Sequence, residues 1–267
     1  MENNIEVKNL NKEYEGFSLK DISFNIPKGS IVGLIGENGA GKTTTIKSIL
    51  NIIKSDGEIR VFGKDIKKYE KEIKKKLGVV LDESFLSEYL TPKKINCIMS
   101  NFYEDWNKTQ FEDYIKNFKL PENKMIKDFS SGMKMKLKIA TAIAHNPKIL
   151  ILDEQRSILI SSHITTDLEH ISDYIMFIKD GEITLNLPTS EILENYGIVK
   201  CDENTFNNIE KQDIKYYKRE KYQYEVLVDN KDLIKRKYNI ATIDKASIED
   251  IMLFYIRGKN KWKKFMD

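Results

Sequence analysis

The chain has 267 residues, which suits one large domain or a domain with an appendage and allows a substantial buried core. Its 44 basic and 41 acidic side chains leave a formal net charge of +3, so no basic footprint for nucleic acid is present. Two cysteines without metal spacing and the lack of a long apolar run predict a cytosolic protein with reduced thiols, neither membrane-spanning nor exported by an ordinary signal.

The N-terminal part predicts an antiparallel strand pair followed by a parallel strand. Alternating apolar and polar residues from Ile5 to Ile26, with a turn near Gly16, are typical of two paired strands. The apolar run Ile31–Ile35 predicts a buried parallel strand. Residues 44–53 predict a helix, because four apolar residues fall on one helical face: Ile46, Ile49, Leu50 and Ile53.

A glycine-rich loop lies between that strand and that helix and fits the pattern G-x-x-x-x-G-K-[ST]. Its residues are Gly36, Glu37, Asn38, Gly39, Ala40, Gly41, Lys42, Thr43 and Thr44. The glycines let backbone N–H groups converge on an anion, Lys42 adds a charge for the outer phosphates, and the Thr43 hydroxyl can bind Mg2+. The loop therefore predicts a nucleoside triphosphate site.

The middle of the chain predicts further strands and an inserted helical region. Residues 58–62 and 77–81 predict strands, and residues 84–128 are helical in pattern, with a start near Thr91 and a break at Pro121. A serine-rich turn then opens a long helix. This turn consists of Ser130, Ser131 and Gly132.

Two carboxylates follow the next apolar segment. Residues 148–152 predict a buried strand that ends in Asp153 and Glu154. Open α/β sheets bind ligands at the carboxyl ends of their strands, so these side chains are candidates for the nucleotide site. Beyond Gly181, helix starts near Thr189 and Ser247 and a strand at 222–228 predict a small α+β region.

The phosphate loop, the Ser130 turn, the strand ending in Asp153, and the strand before His163 occur in an order that resembles the nucleotide-binding subunits of ATP-binding cassette (ABC) transporters. The resemblance implies an α/β fold, with a P-loop NTPase (RecA-like) parallel-sheet core and an N-terminal antiparallel β-subdomain. It implies a cassette domain at residues 1–187, with a helical subdomain at about 84–137, and an accessory region at 188–267.

The resemblance also implies roles for individual side chains. Tyr14 resembles the aromatic residue on which adenine stacks, with an ordinary exposed strand tyrosine as the alternative. The Ser130, Ser131 and Gly132 turn resembles the signature that meets a phosphate bound to a partner subunit. Asp153 resembles the Mg2+-holding carboxylate and Glu154 the general base. His163 resembles the switch histidine that senses the γ-phosphate, with a structural loop histidine as the alternative.

Two positions depart from the family pattern. Asp82 stands where most members have glutamine, and its oxygen could still bind Mg2+, although its charge beside a triphosphate is unfavourable unless the metal screens it. The signature, usually Leu-Ser-Gly-Gly-Gln, is here residues 129–133, in which Ser130 and Gly132 keep their positions.

The third departure is the short link between Asp153 and Ser157. In the family a loop and a helix separate the two strands, and parallel neighbours need a crossover of about a dozen residues or more. A hairpin would instead carry His163 about 17–20 Å from the phosphates. Either a segment is absent from the sequence, or the chain has a deletion and is defective. Glu154 is the base or the end of a lost helix.

The sequence thus predicts the ATP-binding and ATP-hydrolysing subunit of a bacterial transporter, with ATP and Mg2+ as cofactors. Two cassettes, as a homodimer or heterodimer, would sandwich ATP and drive a separately encoded integral-membrane permease from the inner face of the cell membrane. Nucleic acid is not an expected partner. The alternatives are a cassette protein that binds ATP without turnover, and a non-transport ABC ATPase.

Overall fold

The computed structural model describes residues 2–81, 86–153, 168–221, 223–240 and 242–259. The strands are β1 (Asn3–Tyr14), β2 (Phe17–Pro27), β3 (Val32–Ile35), β4 (Asp56–Val61), β5 (Lys64–Asp65), β6 (Leu77–Val80), β7 (Ile149–Leu152), β8 (Tyr174–Lys179), β9 (Glu182–Pro188), β10 (Gly197–Cys201), β11 (Tyr216–Arg219), β12 (Tyr224–Val228) and β13 (Asp244–Lys245). The helices are α1 (Lys42–Ile49), α2 (Glu70–Lys74), α3 (Pro92–Phe102), α4 (Lys108–Asn117), α5 (Ser131–Ile143), α6 (Thr189–Asn195), α7 (Glu203–Asn208), α8 (Lys231–Lys237) and α9 (Ile248–Arg257).

The chain divides into two compact units. Unit 1 comprises Met1–Thr45, Lys54–Glu58 and Ser157–Asp267, and unit 2 comprises Ile46–Ile53 and Ile59–Arg156. Each unit therefore contains segments that are distant in sequence.

Unit 1 begins with the predicted antiparallel pair. β1 pairs with β2 from Asn3↔Pro27 to Tyr14↔Phe17, with irregularities in the register on the way. Gly16 takes a φ of 81°, in the left-handed region that glycine adopts at little cost, and this closes the turn. Alternate residues of both strands face the interior, which buries Val7, Leu10 and Leu19.

A second sheet of unit 1 supports the phosphate loop. β3 lies parallel to β8, with Val32 opposite Tyr174 and Ile35 opposite Phe177. β8 then turns at Asp180 and Gly181 into the antiparallel strand β9. The strand before the loop is therefore held in place by residues more than 130 positions further along the chain.

The C-terminal region forms an antiparallel sheet in the order β11-β12-β10-β13. Helix α9 starts at a capping box formed by Ser247 and Asp250, as the sequence predicts. Its buried face contributes to the same hydrophobic cluster as strand β8, and this cluster includes Ile175, Phe177 and Phe254. The accessory elements and the β8–β9 hairpin thus share one core.

Unit 2 contains the parallel pair β6 and β7 and the helical insertion. Leu77 lies opposite Ile149 and Val80 opposite Leu152. Helix α3 is capped by the Thr91 side chain, which accepts from the backbone N–H of Lys94. Helices α3, α4 and α5 enclose a cluster built around the following buried residues: Ile95, Trp106, Phe111, Ile115, Leu137 and Ala140.

Three expectations require correction. The helix after the phosphate loop ends at Ile49 instead of residue 53, because Asn51 has a φ of 51° and cannot continue a right-handed helix. The strand at 31–35 is only partly buried, with Ile31 exposed. The strand before Asp153 is also not buried, since Leu150 and Leu152 are 43% and 52% exposed.

Candidate functional site

The phosphate loop joins β3 to α1 over residues 36–41. Gly39 and Gly41 have φ values of 83° and 113°, which L side chains rarely adopt. Lys42, Thr43 and Thr44 form the first turn of α1, so the hydroxyl and ammonium groups lie at the N-terminus of a helix. This end of a helix carries a partial positive charge and favours an anion.

Two glycines are required because neighbouring atoms press against the loop. A Cβ on Gly36 would lie 2.2 Å from the carbonyl oxygen of Ile178. A Cβ on Gly41 would lie 2.6 Å from Leu19 Cδ2 and 3.0 Å from Phe17 Cζ. In contrast, Gly39 has no atom within 4 Å of its Cβ position. The loop is thus backed on one side and open at Gly39.

Backbone hydrogen bonds hold the loop to the rest of unit 1. The Gly181 N–H donates to the Ala40 carbonyl at 3.1 Å, and the Gly181 carbonyl accepts from the Lys20 N–H at 2.9 Å. The Thr45 hydroxyl donates to the Gly41 carbonyl at 2.9 Å. These bonds fix the loop to the β8–β9 turn, which is itself bonded to β2, and this gives the preorganised cradle that phosphate binding needs.

Lys42 folds back over its own loop. Its Nζ donates to the carbonyl oxygens of Gly36 and Glu37, each at 2.8 Å. Glu37 and Asn38 are exposed at the tip of the loop, next to the turn in which the Ala40 N–H donates to the Glu37 carbonyl. The cation is therefore placed over the cradle, where the β- and γ-phosphates bind in P-loop proteins.

Tyr14 borders a cavity of about 420 Å3 beside the phosphate loop. Its ring is 47% exposed and lies 5.0 Å from the Lys12 ammonium. Phe17 both lines this cavity and contacts the Gly41 backbone, so the aromatic site and the phosphate site adjoin within unit 1. An exposed ring beside an open cavity can stack on a purine base.

The sequence reasoning missed the other residues of this cavity. They are Glu13, Gly16, Phe17, Ser18, Lys20 and Asp180. The hairpin register, which pairs Tyr14 with Phe17, could have indicated that the residues after the turn share the site. Asp180 comes from the β8–β9 turn, and no local pattern links it to Tyr14.

The serine turn is an N-cap in unit 2. The Ser130 hydroxyl accepts from the Met133 N–H at 3.3 Å, and α5 begins at Ser131. Ser130, Ser131 and Gly132 are all exposed, and no atom lies within 4 Å of the Gly132 Cβ position. The N-terminus of this 13-residue helix, an end that favours anions in general, is therefore exposed.

Asp153 directly follows β7 in unit 2. Its backbone N–H donates to the Val80 carbonyl at 2.8 Å, which extends the β6–β7 pairing by one residue. The residue is only 6% exposed, so its carboxylate lies at the carboxyl end of a parallel strand pair in a sheltered position. Asp82, Glu154 and His163, together with the Asp153–Ser157 link, lie outside the described residues.

The lysines near α2 pair with neighbouring glutamates, so this segment gives no sign of a ligand-binding charged patch. Glu72 forms ion pairs with Lys64 and Lys76, and Glu70 forms one with Lys74. Hydrogen bonds from Lys74 and Asn51 lower the pKa of Glu70. Lys64, Lys74 and Lys76 therefore belong to a solvated, paired surface.

A strand, a glycine loop with an overlying lysine and a helix N-terminus define a P-loop nucleotide-binding protein. The sequence model described as ABC transporter matches residues 19–157, about half of the chain. The ABC transporter ATP-binding protein YtrB of Bacillus subtilis is 28% identical over 292 aligned positions, covering 97% of this chain and all of YtrB. The bacitracin transport ATP-binding protein BcrA of Enterococcus faecalis is 32% identical, covering 72% of this chain and 71% of BcrA.

A solved structure has the same fold. The ATP-binding cassette MJ0796, a dimer bound to ADP and Pi, superposes with a TM-score of 0.58 at 21% identity, covering 69% of this chain and 98% of MJ0796. The chain belongs to the ABC transporter family and is an ATP-binding subunit with the P-loop NTPase fold. In the described part of the chain, no helix has the length and apolar character that crossing a bilayer requires.

Proposed function

We propose that this chain is one of two cassettes that bind ATP and Mg2+ between them and drive a separately encoded permease at the inner face of the cell membrane. The observation that carries the proposal is the phosphate loop, which is backed at Gly36 and Gly41, open at Gly39 and covered by Lys42. The neighbouring Tyr14 cavity has room for a base. Together they form a continuous surface for a nucleotide in unit 1.

The side chains available for Mg2+ are of the type that this ion prefers. The Thr43 hydroxyl stands in the first turn of α1, and the Asp153 carboxylate stands at the end of β7. Hydroxyl and carboxylate oxygens are hard ligands that suit Mg2+, which neutralises phosphate charge when bound. The roles of Asp82 as a further ligand, Glu154 as general base and His163 as γ-phosphate sensor stay predictions.

The exposed Ser130 turn supports pairing with a second cassette. Its helix N-terminus is accessible, and a phosphate held by another subunit would find the Ser130 hydroxyl and the Gly132 backbone there. The related cassette MJ0796 is dimeric, and the similar protein cbiO1 is described as part of the complex cbiONQ. The cassette division at residue 187 and the accessory region at 188–267 stay predictions.

Lys42→Ala tests the nucleotide site directly. Loss of the ammonium should weaken ATP binding by about 10- to 150-fold, measured by equilibrium dialysis with labelled ATP, since charge-assisted hydrogen bonds contribute about 1.5–3 kcal/mol. Lys54→Ala is the matched control, because Lys54 is an exposed lysine just beyond α1. Equal affinity of the Lys42→Ala and Lys54→Ala variants would contradict the proposal. Co-purification of the intact chain with a membrane permease tests the partner.

A further inference from the structure

The chain is shorter than its relatives within the region that they share. Its alignment with YtrB has 292 positions but uses 97% of 267 residues, which is about 259, so about 33 positions of YtrB have no counterpart here. The alignment with BcrA has 220 positions and uses 72% of the chain, which is about 192 residues and leaves about 28. Both relatives indicate an internal shortfall of similar size, which a ragged terminus does not explain.

We infer that the shortfall falls after Asp153. Up to that residue the predicted strands and helices all occur in the described structure, from β1 to β7. Only residues 154–173 then separate Asp153 from β8, and the family match stops at residue 157. A helix of average length with a strand and two connections needs about 25–30 residues, so this interval cannot supply a whole crossover and a further parallel strand.

Strand β7, which ends in Asp153, exposes apolar side chains of the kind that a packed neighbouring helix normally buries. Parallel strands are normally buried on both faces. β6 follows this rule, with Leu77 and Val80 each 2% exposed. Leu150 and Leu152 of β7, two residues apart and hence on one face, are 43% and 52% exposed. A crossover helix packed on this face would bury them.

Nucleotide binding does not need the missing residues. The phosphate loop and the Tyr14 cavity both lie in unit 1, and their backbone bonds come from β2 and the β8–β9 turn. Asp153 lies in unit 2, and the division between the two units falls between Arg156 and Ser157, within the shortened link. The described residues that border the phosphate loop and the Tyr14 cavity therefore all lie in unit 1.

Resting on the proposed function, we propose that an internal deletion of about 30 residues leaves this chain able to hold ATP at its phosphate loop but unable to hydrolyse it there. Only residues 154–156 separate Asp153 from the run that begins at Ser157, so the sequence lacks the crossover that precedes the general-base and switch-histidine arrangement in the family. The Ser130 turn is unaffected, since it precedes the deletion. The chain can thus complete the ATP site of a full-length partner cassette, so that one site of a heterodimer binds and the other turns over.

The experiment compares binding with turnover in the full-length chain. ATP affinity is measured by equilibrium dialysis and turnover by release of labelled phosphate, for the wild type and for Lys42→Ala. We expect the wild type to bind ATP at least about tenfold more tightly than Lys42→Ala while its turnover equals that of the variant. Turnover tenfold or more above Lys42→Ala would overturn the inference. Failure of the wild type to bind ATP would instead contradict the proposed function.

A restored variant sharpens the test. The YtrB segment that has no counterpart here is inserted after Glu154, and turnover should rise by at least about 100-fold at unchanged ATP affinity, since general-base catalysis contributes 10²–10⁴-fold. The same insertion with Lys42→Ala is the control and should show no rise. Glu154→Gln in the native chain should change neither affinity nor turnover, and a tenfold loss of turnover would overturn the inference without relying on the inserted variant.

Discussion

The phosphate loop of unit 1 and the Asp153 strand end of unit 2 both belong to the nucleotide chemistry of the family, yet they are built differently. The loop is one contiguous segment whose glycines and lysine carry their own function, and the surrounding strands only hold it in position. Asp153 instead follows β7, and its position depends on the pairing of β7 with β6, a strand far earlier in the chain. A site formed by one contiguous segment persists when a neighbouring segment is lost. A site that needs side chains from several strands does not.

The largest expected effect tests how rigidly the loop is backed. In Gly36→Ala the new Cβ would lie 2.2 Å from the Ile178 carbonyl oxygen, so the backbone must shift at a cost of about 3 kcal/mol or more. Gly39→Ala is the control, because it meets no atom and bears only a left-handed φ, which costs about 1–2 kcal/mol. The free energy of unfolding, measured in denaturant, should fall further for Gly36→Ala than for Gly39→Ala; an equal loss would show that the loop is not supported as described.

The next effect concerns the Tyr14 cavity. Tyr14→Ala should weaken ATP binding by about 1–1.5 kcal/mol, a five- to tenfold loss, while Tyr14→Phe keeps the stacking face. Tyr69→Ala is a matched control, since Tyr69 is 48% exposed and also lies below a lysine, with Lys64 5.3 Å from its ring. If Tyr69→Ala weakens ATP binding as much as Tyr14→Ala, the cavity is not the base site.

A smaller effect tests the helix cap in unit 2. Ser130→Ala removes the bond to the Met133 N–H and should lower the unfolding free energy by about 1 kcal/mol. Asn107→Ala removes an equivalent cap, in which Asn107 accepts from the Gln110 N–H at 2.9 Å, and should cost a similar amount. Only Ser130→Ala should weaken ATP-dependent pairing with a second cassette in sedimentation experiments. Equal pairing in both variants would remove Ser130 from the shared site.

The smallest effect is the pH dependence of unit 2. Burial lowers the pKa of His145, partly opposed by the hydrogen bond between its Nε2 and the Leu77 carbonyl. Because the unfolded chain then binds the proton more readily, stability should fall as pH drops below about 6.5 and level off below the lowered folded value. His145→Gln should flatten this part of the curve in denaturant titrations between pH 7.5 and 5.5. If the slope of unfolding free energy against pH is unchanged in His145→Gln, other titratable groups cause the pH dependence.

Local signals were sufficient for much of the fold. The glycine loop, the Thr91 and Ser130 caps and the capping box at Ser247 all depend on residues close in sequence, and all are confirmed. The predicted end of α1 was wrong because the left-handed conformation of Asn51 leaves no trace in the apolar periodicity of the sequence. The exposed face of β7 was also missed, since an apolar run indicates a buried strand only when the rest of the sheet is present.

The candidate site divides in the same way. Residues 36–44 could be predicted because their spacing alone defines a cradle. Asp180 could not, because it reaches the Tyr14 cavity through the pairing of β8 with β3, which is a long-range contact. The roles of Glu154 and His163 depended on family order, and the shortened link interrupts that order after Asp153.

The Lys42 ammonium donates hydrogen bonds to the carbonyl oxygens of Gly36 and Glu37, within its own loop. An incoming anion must take the place of these carbonyl oxygens as the acceptor of the Lys42 hydrogen bonds. Binding therefore replaces one set of acceptors by another around a single ammonium group. A chloride or a single phosphate offers little in return, whereas a polyphosphate chain also accepts from the backbone N–H groups of the loop. The loop therefore selects polyphosphates over small cellular anions by competition with its own backbone, and this selection requires no closing lid.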